Sequence, residues 1–296
     1  MAFLTLEVYT IASYIACGMS ILACLWYIIR FFRMNIRSTT TKIILMVSIF
    51  DLITGLTWLV SSIFGTRNNC ATMILLLNFT YWCALFWSTS LAIFSYKVLC
   101  GSDSFTQQNY FKKSFLTIVP TCLIVALLPR LSFFPLQYGK NGDFCAFTAN
   151  PSLSPTLQTI LVVLFQGLPV VPAIIVTWIC YQKEYQFLKE LQTQSSFLKP
   201  EKLFWYPVTQ IIVYLPRLLF LSMQSGGAFN GDNILIFILF FLARLGGFVN
   251  TMVYILSVPT QKKKEPKNVS KVSLTQSTMD LRESLNLERG LESALL

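Results

Sequence analysis

The chain has 296 residues, 54% of them hydrophobic and only 12% charged, with 25 phenylalanines and no histidine. So apolar a composition excludes an ordinary soluble domain and implies an integral membrane protein, and the lack of histidine removes most zinc and haem ligand sets together with His-based catalytic triads. A net charge of +10 and a pI near 9.2 do not indicate nucleic acid, because the basic residues are spread between apolar runs rather than gathered in one patch.

Residues 1–9 carry only Glu7 and form a short extracellular N-terminus. The apolar run 10–32 is too long for a signal-peptide core and lacks a small-residue cleavage site, so it is the first span. Arg30, Arg33, Arg37 and Lys42 follow it and place the first loop in the cytoplasm. Span two, about 42–64, contains Asp51, the only acidic residue inside a span, where an ionised carboxylate costs about 3 kcal/mol and needs a partner, water or a proton.

Span three, 70–99, has no charge before Lys97. As one helix it would be about 45 Å long against a hydrocarbon core of roughly 30 Å, so it crosses tilted. Asn78, Tyr81, Leu85, Ser88, Ala92 and Tyr96 share one helical face, which is turned toward the bundle centre; the plainer reading of its Ser and Thr residues is interhelical glue. Span four runs from Lys112 and Lys113 to about Phe133, with Pro120 and Pro129 inside it. Residues 134–155 form the longest outer loop, rich in turn formers and holding Lys140 and Cys145.

Span five, about 157–181, contains Pro169 and Pro172. The inner loop 182–202 alternates Lys and Glu and extends the fifth helix into the cytoplasm. Span six, 203–223, carries Pro207, Pro216 and Arg217; span seven, 233–256, carries Arg244, the Gly246-Gly247 pair and Asn250. The tail 257–296 is polar and largely disordered. It opens with Lys262, Lys263, Lys264, Lys267 and Lys271, drawn to anionic lipid at about 1 kcal/mol each. A Ser/Thr run follows that reads equally as a phosphorylation cluster and as plain disordered tail.

Of 23 Lys and Arg, only Arg67, Arg130 and Lys140 fall outside and only Arg217 and Arg244 lie within spans. That bias fits seven crossings with the N-terminus out and the C-terminus in. The expected fold is therefore an all-α membrane protein, a seven-transmembrane helix bundle over residues 10–256.

Several short motifs occur in a telling order: Phe86-Trp87-Ser88-Thr89-Ser90-Leu91-Ala92, Asp143-Phe144-Cys145-Ala146-Phe147, Leu203-Phe204-Trp205-Tyr206-Pro207 and Gly247-Phe248-Val249-Asn250-Thr251-Met252-Val253-Tyr254. Together they resemble the slime-mould cyclic AMP receptor family of G-protein-coupled receptors, over roughly residues 33–256. Span three ends Ser95-Tyr96-Lys97 rather than Asp-Arg-Tyr and span seven lacks Asn-Pro-x-x-Tyr, which sets the chain apart from rhodopsin-like receptors. The resemblance implies a small-molecule extracellular ligand, a heterotrimeric G protein as partner, a plasma-membrane location and a disulfide between Cys70 and Cys145. Both cysteines stand on the outer side in this topology, and the other reading is two unpaired thiols.

Arg217 and Arg244 sit deep in spans six and seven. With Arg130, Lys140, Asn78 and Tyr81 they would line an outward-facing pocket for an anionic or strongly polar ligand, since guanidinium binds carboxylate and phosphate bidentately. In the competing reading Arg244 pairs with Asp51 and Arg217 snorkels outward. Asp51 and Asn250 form a polar network between spans two and seven. Tyr96, Lys97, Lys199, Lys202 and Tyr206 mark the inner ends that face the G protein. No phosphate-binding glycine loop, metal-ligand cluster or nucleophile elbow is present, so neither enzyme, cofactor nor metal is expected. A membrane transporter, with Asp51 and Arg244 as coupling groups and the glycine pair as a helix break, stands as the alternative.

Overall fold

The computed structural model describes residues 6–33, 38–64, 70–100, 109–131, 134–141, 144–149, 154–192, 205–225 and 234–257. They are almost entirely helical. In chain order they form α1 (Leu6–Arg33), α2 (Thr39–Phe64), α3 (Cys70–Cys100), α4 (Tyr110–Leu127) with a 3-10 turn Leu128–Arg130, and strands β1 (Leu136–Asn141) and β2 (Phe144–Ala149). After these come α5 (Pro155–Gln192), α6 (Trp205–Ser225), α7 (Ile234–Arg244) and α8 (Gly246–Ser257).

Local chemistry sets two of the helix starts. The Ser38 hydroxyl accepts the Thr41 N–H at 3.2 Å and opens α2, and the Ser154 hydroxyl accepts the Leu157 N–H at 3.3 Å and opens α5 just before Pro155. Each satisfies a first-turn donor that the helix itself cannot. Beyond the caps, the helices are held by what they bury and by what surrounds them. Leu22, Phe32, Leu116, Ile124, Leu164 and Leu168 all stand exposed, and so much outward apolar surface is stable only against hydrocarbon. Five helices, α1 to α5, are each long and apolar enough to cross a membrane, and α7 with α8 makes a sixth as one bent span. The chain is thus a multi-pass helical membrane protein.

α3 is the axis. It packs on α2, α4, α5 and the strands, while α8 closes the arrangement against α1, α2 and α6. Its middle is buried all round, through Trp82, Cys83, Ala84, Leu85, Trp87 and Leu91.

Two regions differ from the sequence reading. The segment 134–155, expected to be an outer loop, contains an antiparallel hairpin, with Tyr138 opposite Phe147 and Lys140 opposite Cys145. Leu136, Tyr138 and Phe147 turn down onto Ile74 of α3 and Val162 of α5, so the pair is a lid packed on the end of the bundle. The last span is bent by 55° between α7 and α8. Leu245 N–H still reaches the Phe241 carbonyl at 3.2 Å and Val249 N–H the Leu245 carbonyl at 3.0 Å. Between them, the bond from Phe248 N–H to the Arg244 carbonyl is replaced: the Ser20 hydroxyl of α1 donates to that carbonyl at 2.7 Å and accepts that N–H at 3.3 Å. A side chain inserted into the ladder is one of the few causes of a sharp bend. The glycines permit it, because a Cβ on Gly247 would stand 2.8 Å from Cys24 Sγ and 3.2 Å from Asp51 Cβ.

Candidate functional site

Beneath the hairpin, α3, α5 and α6 converge on Asn78. Its amide N–H donates to the Tyr138 hydroxyl at 3.3 Å, and its carbonyl oxygen accepts from Gln166 at 3.2 Å and from Arg217 Nη2 at 3.0 Å. Two acceptances fill that oxygen. The Arg217 guanidinium lies 3.7 Å above the Tyr81 ring, whose hydroxyl is spent on the Tyr214 carbonyl at 2.8 Å. Tyr138 in turn donates to the Ala126 carbonyl at 2.9 Å. Burial pushes its phenol above the ordinary value, against the pull of the Asn78 hydrogen bond and of the Arg217 and Arg130 charges, so it remains a donor.

Arg217 is only 2% exposed, and its Nε and Nη1 have no hydrogen-bond partner. A guanidinium carries five N–H donors and no acceptor. Here a cation sealed inside the bundle meets one amide oxygen and one ring face, with no carboxylate bonded to it among the described residues, and donors remain to be spent.

Arg244 is held apart from this cluster. Its Nε donates to the Ser13 hydroxyl at 3.0 Å and its Nη1 reaches the Phe240 carbonyl at 3.4 Å. The group lies over the rings of Trp58 at 3.9 Å and Phe240 at 3.4 Å, a pair of cation–π contacts. The expected alternative pairing with Asp51 is not formed. Asp51 instead accepts from Asn250 at 2.8 Å, which joins α2 to α8 as the polar-network reading requires. Outward snorkelling of Arg217 is likewise replaced by burial, because Asn78 and Tyr81 hold the group inward.

The other expected site residues are scattered. Arg130 is exposed and donates to Thr72 at 3.0 Å, and it bears on Asn78's bonding set through its charge, which pulls on Tyr138. Lys140 is on β1, with its side chain outside the described residues. Cys70 opens α3 and is disulfide-bonded, whereas the Cys145 side chain lies outside the described residues. At the far end Tyr96 is half-buried, Lys97 is exposed, and Tyr206 stacks on Tyr181 with ring centroids 5.2 Å apart. Lys199, Lys202 and the basic tail fall outside the described residues.

The sequence reading missed Gln166, Gln210, Ser13, Ser20 and Glu184. Gln210 donates to Ser88 at 3.0 Å, and Tyr206, Gln210, Tyr214 and Arg217 fall on one face of α6 at helical spacing. That face carries polar groups from the hairpin end to the far end. Glu184, fully buried beside Cys180 on α5, has neither oxygen hydrogen-bonded. The signal that found Arg217, a polar group in an apolar run, would also have found both glutamines.

Comparison of the chain with known protein families and with curated proteins finds no match.

Proposed function

We propose that the protein is a G-protein-coupled receptor of the cyclic-AMP-receptor-like kind. In this reading α6 is a further crossing, giving seven, with the N-terminus outside and the hairpin on the extracellular face of a plasma membrane. The ligand is a small anionic or strongly polar molecule. The observation that carries the reading is Arg217, a buried guanidinium with unspent donors directly below the hairpin. An incoming carboxylate or phosphate supplies the acceptors that the bundle withholds.

Cys70 and Cys145 are the disulfide that ties the lid to α3; the support is that Cys70 is bonded and the other six cysteines outside this pair are free thiols. Ligand on Arg217 shifts α6, whose Pro216 adjoins the site, and the shift reaches Tyr206, Tyr96, Lys97, Lys199 and Lys202 at the cytoplasmic end, where the G protein docks. Such a ligand changes the population only through its unequal affinity for the two states.

The test is nucleotide exchange on co-expressed G proteins during a screen of small anions. Arg217→Ala lowers the potency of the response about 100-fold or more and Arg217→Lys loses less; an unchanged response to an identified agonist in Arg217→Ala defeats the assignment. Tags on the two chain ends, accessible on opposite sides of the membrane, check the seven crossings. One observation favours a second reading. Arg244 ends α7 just before the glycine pair, and a broken helix with a charge at the break is how transporters build a midplane site. Anion uptake into vesicles without nucleotide exchange would select that reading.

A further inference from the structure

Where α3 ends and α4 begins, a groove of about 640 Å³ opens between the two helices. Lys97 and Lys113 stand over it, and both are exposed. Its polar lining is already assembled: the Ser90 hydroxyl lies 3.1 Å from the Tyr110 hydroxyl and 3.3 Å from that of Ser114, and Tyr110 donates to the Ser90 carbonyl at 3.0 Å. The Tyr110 ring is packed against Phe94, with centroids 5.2 Å apart, so these hydroxyls are fixed in place.

Phe86, Ile93 and Ile118 add apolar walls and Thr89 and Thr117 two further hydroxyls, and from Asn109 to Ile118 the groove follows α4 for about 14 Å. Beside it, α4 exposes Leu116 and Ile124, the surface that hydrocarbon covers. Two exposed cations at a groove whose walls mix hydroxyls with apolar side chains suit a molecule that joins an anionic headgroup to an acyl chain.

We propose that this groove binds a membrane lipid whose headgroup carries a phosphate monoester. Lys97 and Lys113 take the doubly charged phosphate as point charges, the hydroxyls of Tyr110 and Ser114 meet the headgroup oxygens, and the first part of an acyl chain lies along Phe86 and Ile118. A soluble inositol phosphate has the same headgroup chemistry but leaves the apolar walls unfilled, so the lipid is the better fit. The site is independent of what Arg217 binds, and it holds for a receptor or a transporter alike.

The test is native mass spectrometry of the full-length protein in detergent, mixed with phosphatidylinositol 4-phosphate and an equal amount of phosphatidylcholine. The phosphorylated lipid is retained in preference, and Lys97→Gln and Lys113→Gln each lower its retention about fivefold. Lys112→Gln, which removes the same charge one residue away but outside the groove lining, leaves retention unchanged. Ile118→Trp, which fills the channel and spares both lysines, also lowers it, with the thermal midpoint confirming that the variant is folded. Equal losses for Lys112→Gln and Lys113→Gln would reduce the effect to general surface charge and overturn the proposal. Equal retention of phosphatidylcholine would overturn it too, as would displacement of the lipid by soluble inositol phosphate at matched concentration.

Discussion

Arg217 and Arg244 are both closed off from solvent, yet Arg244 lies between the faces of Trp58 and Phe240 with Ser13 and a backbone carbonyl as acceptors, whereas Arg217 has one amide oxygen, one ring and two nitrogens left over. Sequence depth does not separate the two, because each is a lone cation in an apolar run. Surroundings do. Aromatic faces and hydroxyls make a buried guanidinium part of the packing, while a short supply of acceptors leaves it poised for a guest.

The sharpest way to break this contrast is to remove each charge in turn. Arg217→Ala lowers the potency of an identified anionic agonist about 100-fold or more and leaves the thermal midpoint in detergent level or slightly raised. Arg244→Gln does the reverse, costing about 2–4 kcal/mol of stability in reversible unfolding while the protein that remains folded keeps its agonist potency. If both variants lost potency equally, the division of roles would be wrong.

Smaller effects sharpen the structural half of the comparison. Gly247→Ala forces a Cβ to 2.8 Å from Cys24 Sγ and costs about 1–3 kcal/mol; in a Cys24→Ala background part of that loss returns, and a double-mutant cycle reads the coupling. Ser20→Ala leaves the Arg244 carbonyl and Phe248 N–H without their bridge and costs about 1–2 kcal/mol, visible as faster hydrogen exchange at Phe248. Glu184→Gln is the smallest change and of opposite sign. It removes a buried carboxyl group that has no donor and raises the free energy of unfolding by about 1 kcal/mol or less.

Much of this was legible in the sequence, for physical reasons that can be named. Long apolar runs bounded by basic residues fix where helices begin and end to within a few residues, as α2 and α3 show. Asn78 and Tyr81 could be placed with Arg217 because period and depth suffice to align them. The partners on other helices could not. Whether Ser13 and Trp58 or Asp51 receives Arg244 depends on the rotation of α1 and α2 about their axes, which side-chain packing decides. Glu184 lies in the stretch 182–202 whose alternating Lys and Glu hide it among surface charges, although Cys180 and Leu188, one turn to either side, put it on a buried face. The hairpin did carry a signal in Gly142-Asp143 between alternating apolar residues, but the abundance of turn formers hid it.

The serine at the bend ties α1 to the junction of α7 and α8 in time as well as space. α7 and α8 are 11 and 12 residues long, about 17 Å each, and neither alone reaches across a bilayer. Their junction is completed by a hydroxyl 224 positions upstream. During synthesis the first helix therefore enters the lipid early and waits, and the final one is not self-sufficient until it docks there. A chain cut short before Arg244 would strand Ser20 with nothing to mend, and a chain deprived of its opening helix would carry a torn backbone into the bilayer.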